Sequence, residues 1–172
     1  MIIEKAKEKI EESKYFLQKM VETESSCDSS DGAKDREKEF SHLLSAFLNS
    51  CYSVGEILKQ EEKYFDLHKN LRLKRRDIYK NGKDGGWRTI AVHYKPVKPQ
   101  HDGYIPPPAD KVNFNFTSDK PYTPPAGDKI VFDIGQNKKF YFTKEIPQNS
   151  ITDFCNEHMT ELVVLITECE NI

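Results

Sequence analysis

The chain has 172 residues, with 26 Lys and Arg against 28 Asp and Glu, a formal net charge of −2, and 37% hydrophobic and 31% charged residues. That length suffices for one domain with a proper core, and the composition is too hydrophobic for a disordered chain. No apolar run approaches the ~20 residues that cross a bilayer, and Met1-Ile2-Ile3-Glu4-Lys5 turns charged at once, unlike a signal peptide. No membrane partner is expected, and cytoplasm is the expected compartment.

The small net charge hides a partition. Residues 1–63 carry 10 basic and 14 acidic side chains, and residues 64–98 carry 10 basic and 3 acidic. Residues 99–149 balance at 6 and 6, while residues 150–172 have 5 acidic and none basic. One segment is therefore strongly positive, and two destinations are open for it. It pairs with its acidic flanks inside the fold, or it forms an anion-binding surface.

Four cysteines, Cys27, Cys51, Cys155 and Cys169, show no CxxC or zinc-type spacing. The last three fall on or beside helical apolar stripes and read as buried free thiols; Cys27 reads as exposed in a polar loop. The histidines are scattered as well, so neither a structural metal nor a cofactor is expected.

In chain order, residues 2–22 read as an amphipathic helix, with Ile3, Ala6, Ile10, Leu17 and Met20 on one face and Phe16 and Val21 beside them. A polar Ser/Asp/Gly loop over 23–33 follows. From about Lys34 to Gln60 the residues Phe40, Leu43, Leu44, Phe47, Leu48, Cys51, Val54, Ile57 and Leu58 make a broad stripe, which marks the central core helix. Gly55 near its end lets another helix approach closely, or simply costs stability. A third helix is expected from Glu61 to about Tyr79, apolar at Tyr64, Phe65, Leu67, His68, Leu71 and Ile78. Its other face is basic at Lys69, Arg72, Lys74, Arg75, Arg76 and Lys80. Asn81-Gly82-Lys83-Asp84-Gly85-Gly86 breaks it, and Trp87 to His93 resumes as a short helix or tight turn.

All nine prolines lie between Pro96 and Pro147. Within 99–149, Ile130–Ile134 and Lys139–Thr143 flank Gly135-Gln136-Asn137 and read as a β-hairpin. The aromatics here, Tyr141 and Phe142 among them, read as core or cover residues. Residues 150–170 return to helix, capped by Ser150 with Asp153 and striped by Ile151, Phe154, His158, Leu162, Leu165, Ile166 and Cys169. The expected architecture is mainly α: one domain over 1–172, four to five helices, and an insertion at 99–149 before the last helix.

Arg88-Thr-Ile-Ala-Val-His93 supplies a candidate catalytic pair at defined spacing. It follows the helix Glu39-Phe-Ser-His-Leu-Leu-Ser-Ala-Phe-Leu-Asn-Ser-Cys-Tyr-Ser-Val-Gly-Glu-Ile-Leu58 with Tyr64-Phe65, and precedes the Cys155–Cys169 helix. In these segments, roughly 120 residues in all, the chain resembles the bacterial HEPN-like proteins, small antiparallel helical bundles whose signature is an Arg followed after four to six residues by a His. Active members of that superfamily are metal-independent endoribonucleases, often toxins or defence effectors, and many dimerise with their motifs facing. The resemblance implies a homodimer, an RNA substrate, and an antitoxin or other protein partner. Thr89 departs from it, since many nuclease members carry Asn, Asp or His directly after the arginine.

The chemistry suits these residue types. An unperturbed histidine titrates near neutrality, so His93 could move a proton, and the planar Arg88 fork could bind a phosphate. Arg72, Lys74, Arg75 and Arg76 could hold an RNA backbone, which is read mainly through charge and shape. The structural alternatives are concrete. Arg88 pairs with a carboxylate of the acidic last helix; His93 closes a helix and bonds a carbonyl; 72–76 is a solvated helix face. His42, His68 and His158 read as core-edge residues. A non-catalytic dimerisation or partner-binding module is the competing function.

Overall fold

The structure, a computed structural model, describes residues 2–25, 33–82, 85–93, 100–101, 139–142 and 150–172. In order these form α1 (Ile2–Ser25), α2 (Ala33–Leu58), a 3₁₀ turn (Glu62–Tyr64), α3 (Phe65–Lys74), α4 (Arg76–Tyr79) and α5 (Trp87–His93). Strands β1 (Gln100–His101) and β2 (Phe140–Tyr141) and helix α6 (Ile151–Glu170) complete the set. All the described residues fall in one compact unit. It is mainly helical, as expected, and no helix among the described residues is long and apolar enough to cross a membrane.

The core follows the apolar stripes. Phe40, Leu44, Phe47, Leu48, Cys51, Val54 and Leu58 of α2 are all buried. They pack against Ala6, Ile10, Leu17 and Met20 of α1 and against Ile151, Cys155, Met159, Leu162, Leu165, Ile166 and Cys169 of α6. Each large side chain so buried contributes about 1.5–3 kcal/mol. Where α1 meets α2 the side chains are small: Ser13 and Ser50 are buried, and the Ser50 hydroxyl donates to the Lys9 carbonyl at 3.0 Å. Cys51, Cys155 and Cys169 are buried free thiols, and burial pushes the Cys51 thiol up to about 12. Cys27 lies outside the described residues.

One expected helix is broken. The span 61–79 is a 3₁₀ turn followed by α3 and α4, and Arg75 between the two helices leaves helical geometry at φ −101°, ψ 51°. A continuous helix would carry Arg75 on the exposed basic face beside Arg76. The break turns the Arg75 side chain inward to 8% exposure and seats Ile78 in the core. Phe65, expected on the apolar side, is instead substantially exposed.

The glycine break behaves as its composition implies. Gly82 sits at φ +100°, and the Gly86 N–H donates to the Lys80 carbonyl at 2.8 Å. A Cβ on Gly86 would lie 2.2 Å from the Ile78 backbone, so only glycine fits there. At the last helix, Ser150 Oγ accepts from the Asp153 N–H at 3.2 Å and donates to its carboxylate at 2.7 Å, completing the expected cap.

β1 and β2 pair antiparallel, Gln100 opposite Tyr141 and His101 opposite Phe140. The first arm and turn of the expected 130–143 hairpin lie outside the described residues, as does the proline-rich span 102–138. Phe140 is buried with its ring 4.4 Å from that of Phe40. Phe142 stacks on Trp87 at 3.9 Å and 9° and meets Phe154 edge-on at 5.2 Å. Both aromatics serve the core, and Phe142 ties α5 to α6.

The buried Glu24 carboxylate accepts from the Phe140 N–H at 3.0 Å and the Thr152 hydroxyl at 2.9 Å, and faces the Lys139 ammonium at 3.4 Å. It joins the ends of α1, β2 and α6. Glu24→Ala should lower stability by about 3 kcal/mol, since a buried amide and hydroxyl lose a charged acceptor, and Glu24→Gln by roughly half that. Urea unfolding followed by far-UV circular dichroism measures both.

Candidate functional site

Helical spacing brings the polar groups of the site together. Tyr52, Gly55 and Glu56 lie one turn apart on α2, and His68, Leu71 and Arg72 lie one turn apart on α3. The two triplets face each other, and all of their residues except Glu56, with Cys51, Tyr79 and Leu162, border a cleft of about 180 Å³ including its open mouth.

Two guanidinium groups lie over the Tyr52 ring. The Arg88 carbon is 3.8 Å from the ring centroid and the Arg72 carbon 4.3 Å, with Arg72 also 5.7 Å from the Tyr79 ring. Attraction between a cation and an aromatic face is worth about 0.5–2 kcal/mol and holds a long side chain in one place. Arg72 Nη2 donates to Glu56 Oε1 at 2.6 Å. Burial works against the Glu56 charge, but Arg72 outweighs it and holds the carboxyl below its usual range.

His68 Nε2 has no hydrogen-bond partner, although the residue is buried. An unsatisfied buried polar group costs ~1–3 kcal/mol. Burial first, and then the nearby Arg72 charge, depress this imidazole to about 4.

Behind the cleft runs a buried polar chain. The Tyr79 hydroxyl lies 2.6 Å from His158 Nε2, and His158 Nδ1 lies 3.5 Å from Glu161 Oε2. Burial lowers the affinity of His158 for a second proton, so the neutral ring carries its hydrogen on Nδ1, donates it to Glu161 and accepts from Tyr79. Glu161 also takes Lys74 at 2.8 Å and Arg75 at 3.1 Å. The His158 contact, with Lys74 and Arg75 behind it, holds the Glu161 carboxyl down at about 2 despite partial burial. Burial keeps the Tyr79 phenol well above its ordinary range, and therefore neutral.

The residues singled out by sequence are distributed as follows. Arg88 is half-buried on the first turn of α5, against Tyr52. Thr89 beside it is buried. His93 is the last residue of α5, about 140° around the axis from Arg88, and its side chain lies outside the described residues. Of the basic run, Arg72 reaches the cleft, Lys74 stays exposed on Glu161, and Arg76 is exposed. Arg75 is buried between Asp77 and Glu161, its guanidinium 4.6 Å from the Phe154 ring. The run therefore does not form one continuous basic face. His68 and His158 are buried and His42 is exposed.

Sequence reasoning passed over Tyr52, Glu56, Tyr79 and Glu161. The i, i+3, i+4 spacing of Tyr52, Gly55 and Glu56 was available as a signal, but only the fold shows which helix that face meets. Among the described residues, no three His, Cys, Asp or Glu side chains gather closely enough to hold a metal ion.

The depressed groups set an acid-sensitive window. His68 is ordinarily near 6.5 and falls to about 4 in the fold, so its buried neutral form contributes stability that is lost as pH drops across that interval. Glu161, ordinarily 4.5 and here about 2, contributes stability lost as pH falls further through that lower interval. Urea midpoints measured from pH 7 to 2 should fall in both intervals. His68→Gln should flatten the upper limb, and Glu161→Gln the lower. Compared with known proteins, the chain matches no family model, no curated protein and no solved structure.

Proposed function

We propose that this chain is a HEPN-like helical-bundle protein that cleaves RNA without a metal ion, with Arg88 on the scissile phosphate and His93 moving the proton. The observation that carries this reading is the placement of Arg88. Its planar cation rests on Tyr52 beside a second guanidinium, that of Arg72, on a helix that ends in His93.

The reaction needs little else from the chain. The 2′-hydroxyl attacks the neighbouring phosphorus, a base removes its proton, and the bond to the 5′-oxygen breaks as an acid protonates that oxygen. The products are a 2′,3′-cyclic phosphate and a 5′-hydroxyl. Arg88 stabilises the charge that builds on the phosphoryl oxygens, and a neutral or protonated His93 serves as base or acid. Two proton transfers call for two such groups, so a homodimer with facing motifs supplies a second Arg88 and His93.

The competing reading, a non-catalytic module that binds a second copy or a protein partner such as an antitoxin, draws on one observation. Much of the basic segment is already engaged within the fold: Arg72 by Glu56, and Lys74 and Arg75 by Glu161.

Chelator-treated protein incubated with a 5′-labelled single-stranded RNA should yield fragments ending in cyclic phosphate. Arg88→Ala and His93→Ala should each reduce the rate by about 100-fold or more. Intact RNA, or cleavage indifferent to His93→Ala, would sink the enzyme reading in favour of the binding module.

A further inference from the structure

The cleft between α2 and α3 contains one polar group that the fold leaves unused. His68 is 4% exposed, and its Nε2 is without a hydrogen-bond partner. Gly55 makes this placement possible. A Cβ at position 55 would stand 2.5 Å from His68 Nε2 and 3.8 Å from Arg72 Nη2. An imidazole nitrogen and a guanidinium thus converge over a residue with no side chain, at a cleft also lined by Tyr52, Tyr79, Cys51, Leu71 and Leu162.

The local charge favours an anion. Arg72 and Arg88 both lie over Tyr52, and the Glu56 carboxylate beside them is engaged by Arg72. The His68 ring registers this field: after burial, Arg72 and then Lys59 disfavour its protonation, while Glu56 alone opposes them among the groups that act on it.

From this convergence we infer that the cleft is an oxyanion subsite, taking one phosphate group with His68 Nε2–H and a guanidinium N–H of Arg72 as its donors. The phosphate belongs to an RNA backbone, next to the one at Arg88, or to a free phosphate ion. In the first case the inference rests on the RNA reading above, and in the second it stands apart from it. Chemistry at Arg88 and His93 is not required for the group to bind.

The test follows the His68 imidazole in the full-length protein by ¹H–¹⁵N correlation NMR, with the signal assigned by its loss in His68→Gln. Without added ligand it should titrate near 4. Inorganic phosphate should raise that midpoint by about one pH unit or more, because a bound anion favours the imidazolium. Chloride at matched ionic strength should not. Arg72→Gln, confirmed folded by its circular dichroism and melting curve, should weaken the phosphate effect at least tenfold. Gly55→Ala should abolish it if it folds.

A 2′-O-methyl RNA oligonucleotide, which cannot be cleaved through its 2′-oxygen, forms the second arm. A rise in the His68 midpoint at lower concentration than with inorganic phosphate assigns the subsite to the RNA backbone. A rise with inorganic phosphate alone assigns it to a free oxyanion. If neither probe moves His68, the inference is overturned, whatever the cleavage assay shows. Failure of cleavage with a retained His68 response overturns only the enzyme reading.

Discussion

The fold depends on burying one long stripe. The apolar face of α2, from Phe40 to Leu58, is covered by α1 on one side and α6 on another. Among the described residues no pair of helices packs as extensively as α1 with α2. That choice commits the rest of α2. With Cys51, Val54 and Leu58 in the core, Tyr52 and Glu56 fall at the edge, where α3 and α5 arrive. The cleft is a consequence of helical periodicity at the end of a packed stripe, and the strength of the core is what holds it open.

Arg75 shows how charge shapes this arrangement. A buried guanidinium is costly unless it is paired, and Glu161 and Asp77 supply the pairing. Meeting them requires the chain to leave helical geometry after Lys74. That departure creates α4, and it puts Ile78 in the core and Tyr79 within reach of His158. The same carboxylate that receives Arg75 also orients His158 and holds Lys74. Glu161 therefore joins the positive segment to the acidic last helix at one point, while Arg72 pairs with Glu56 and lies with Arg88 over the Tyr52 ring.

The segment after Arg88 is anchored from outside its own helix. Seven residues are too few to be stable alone. Trp87 supplies the anchor through its stack on Phe142, which in turn meets Phe154. Phe140 and Glu24 secure the same end of the 99–149 span. The C-terminal end of that span is thereby part of what positions Arg88, a link between the insertion and the candidate site that neither shows by itself.

The sequence by itself determined the helices that carry periodic apolar stripes, the cap at Ser150 with Asp153, the glycine break at 81–86 and the burial of three cysteines. Each is set by local geometry or by the need to bury an amphipathic face, and both are legible in residue order. Only the tertiary structure decided the break at Arg75, because the carboxylate that pairs it lies on a helix 86 positions away in the chain. It also decided the destination of the basic run, which composition left open between a surface and internal pairs. The Arg88 motif was visible as a spacing, but its surroundings were not. Tyr52, Arg72, Glu56 and His68 come from two helices whose relative rotation is set by core packing, and an unpartnered histidine nitrogen exists only once every neighbour has been placed.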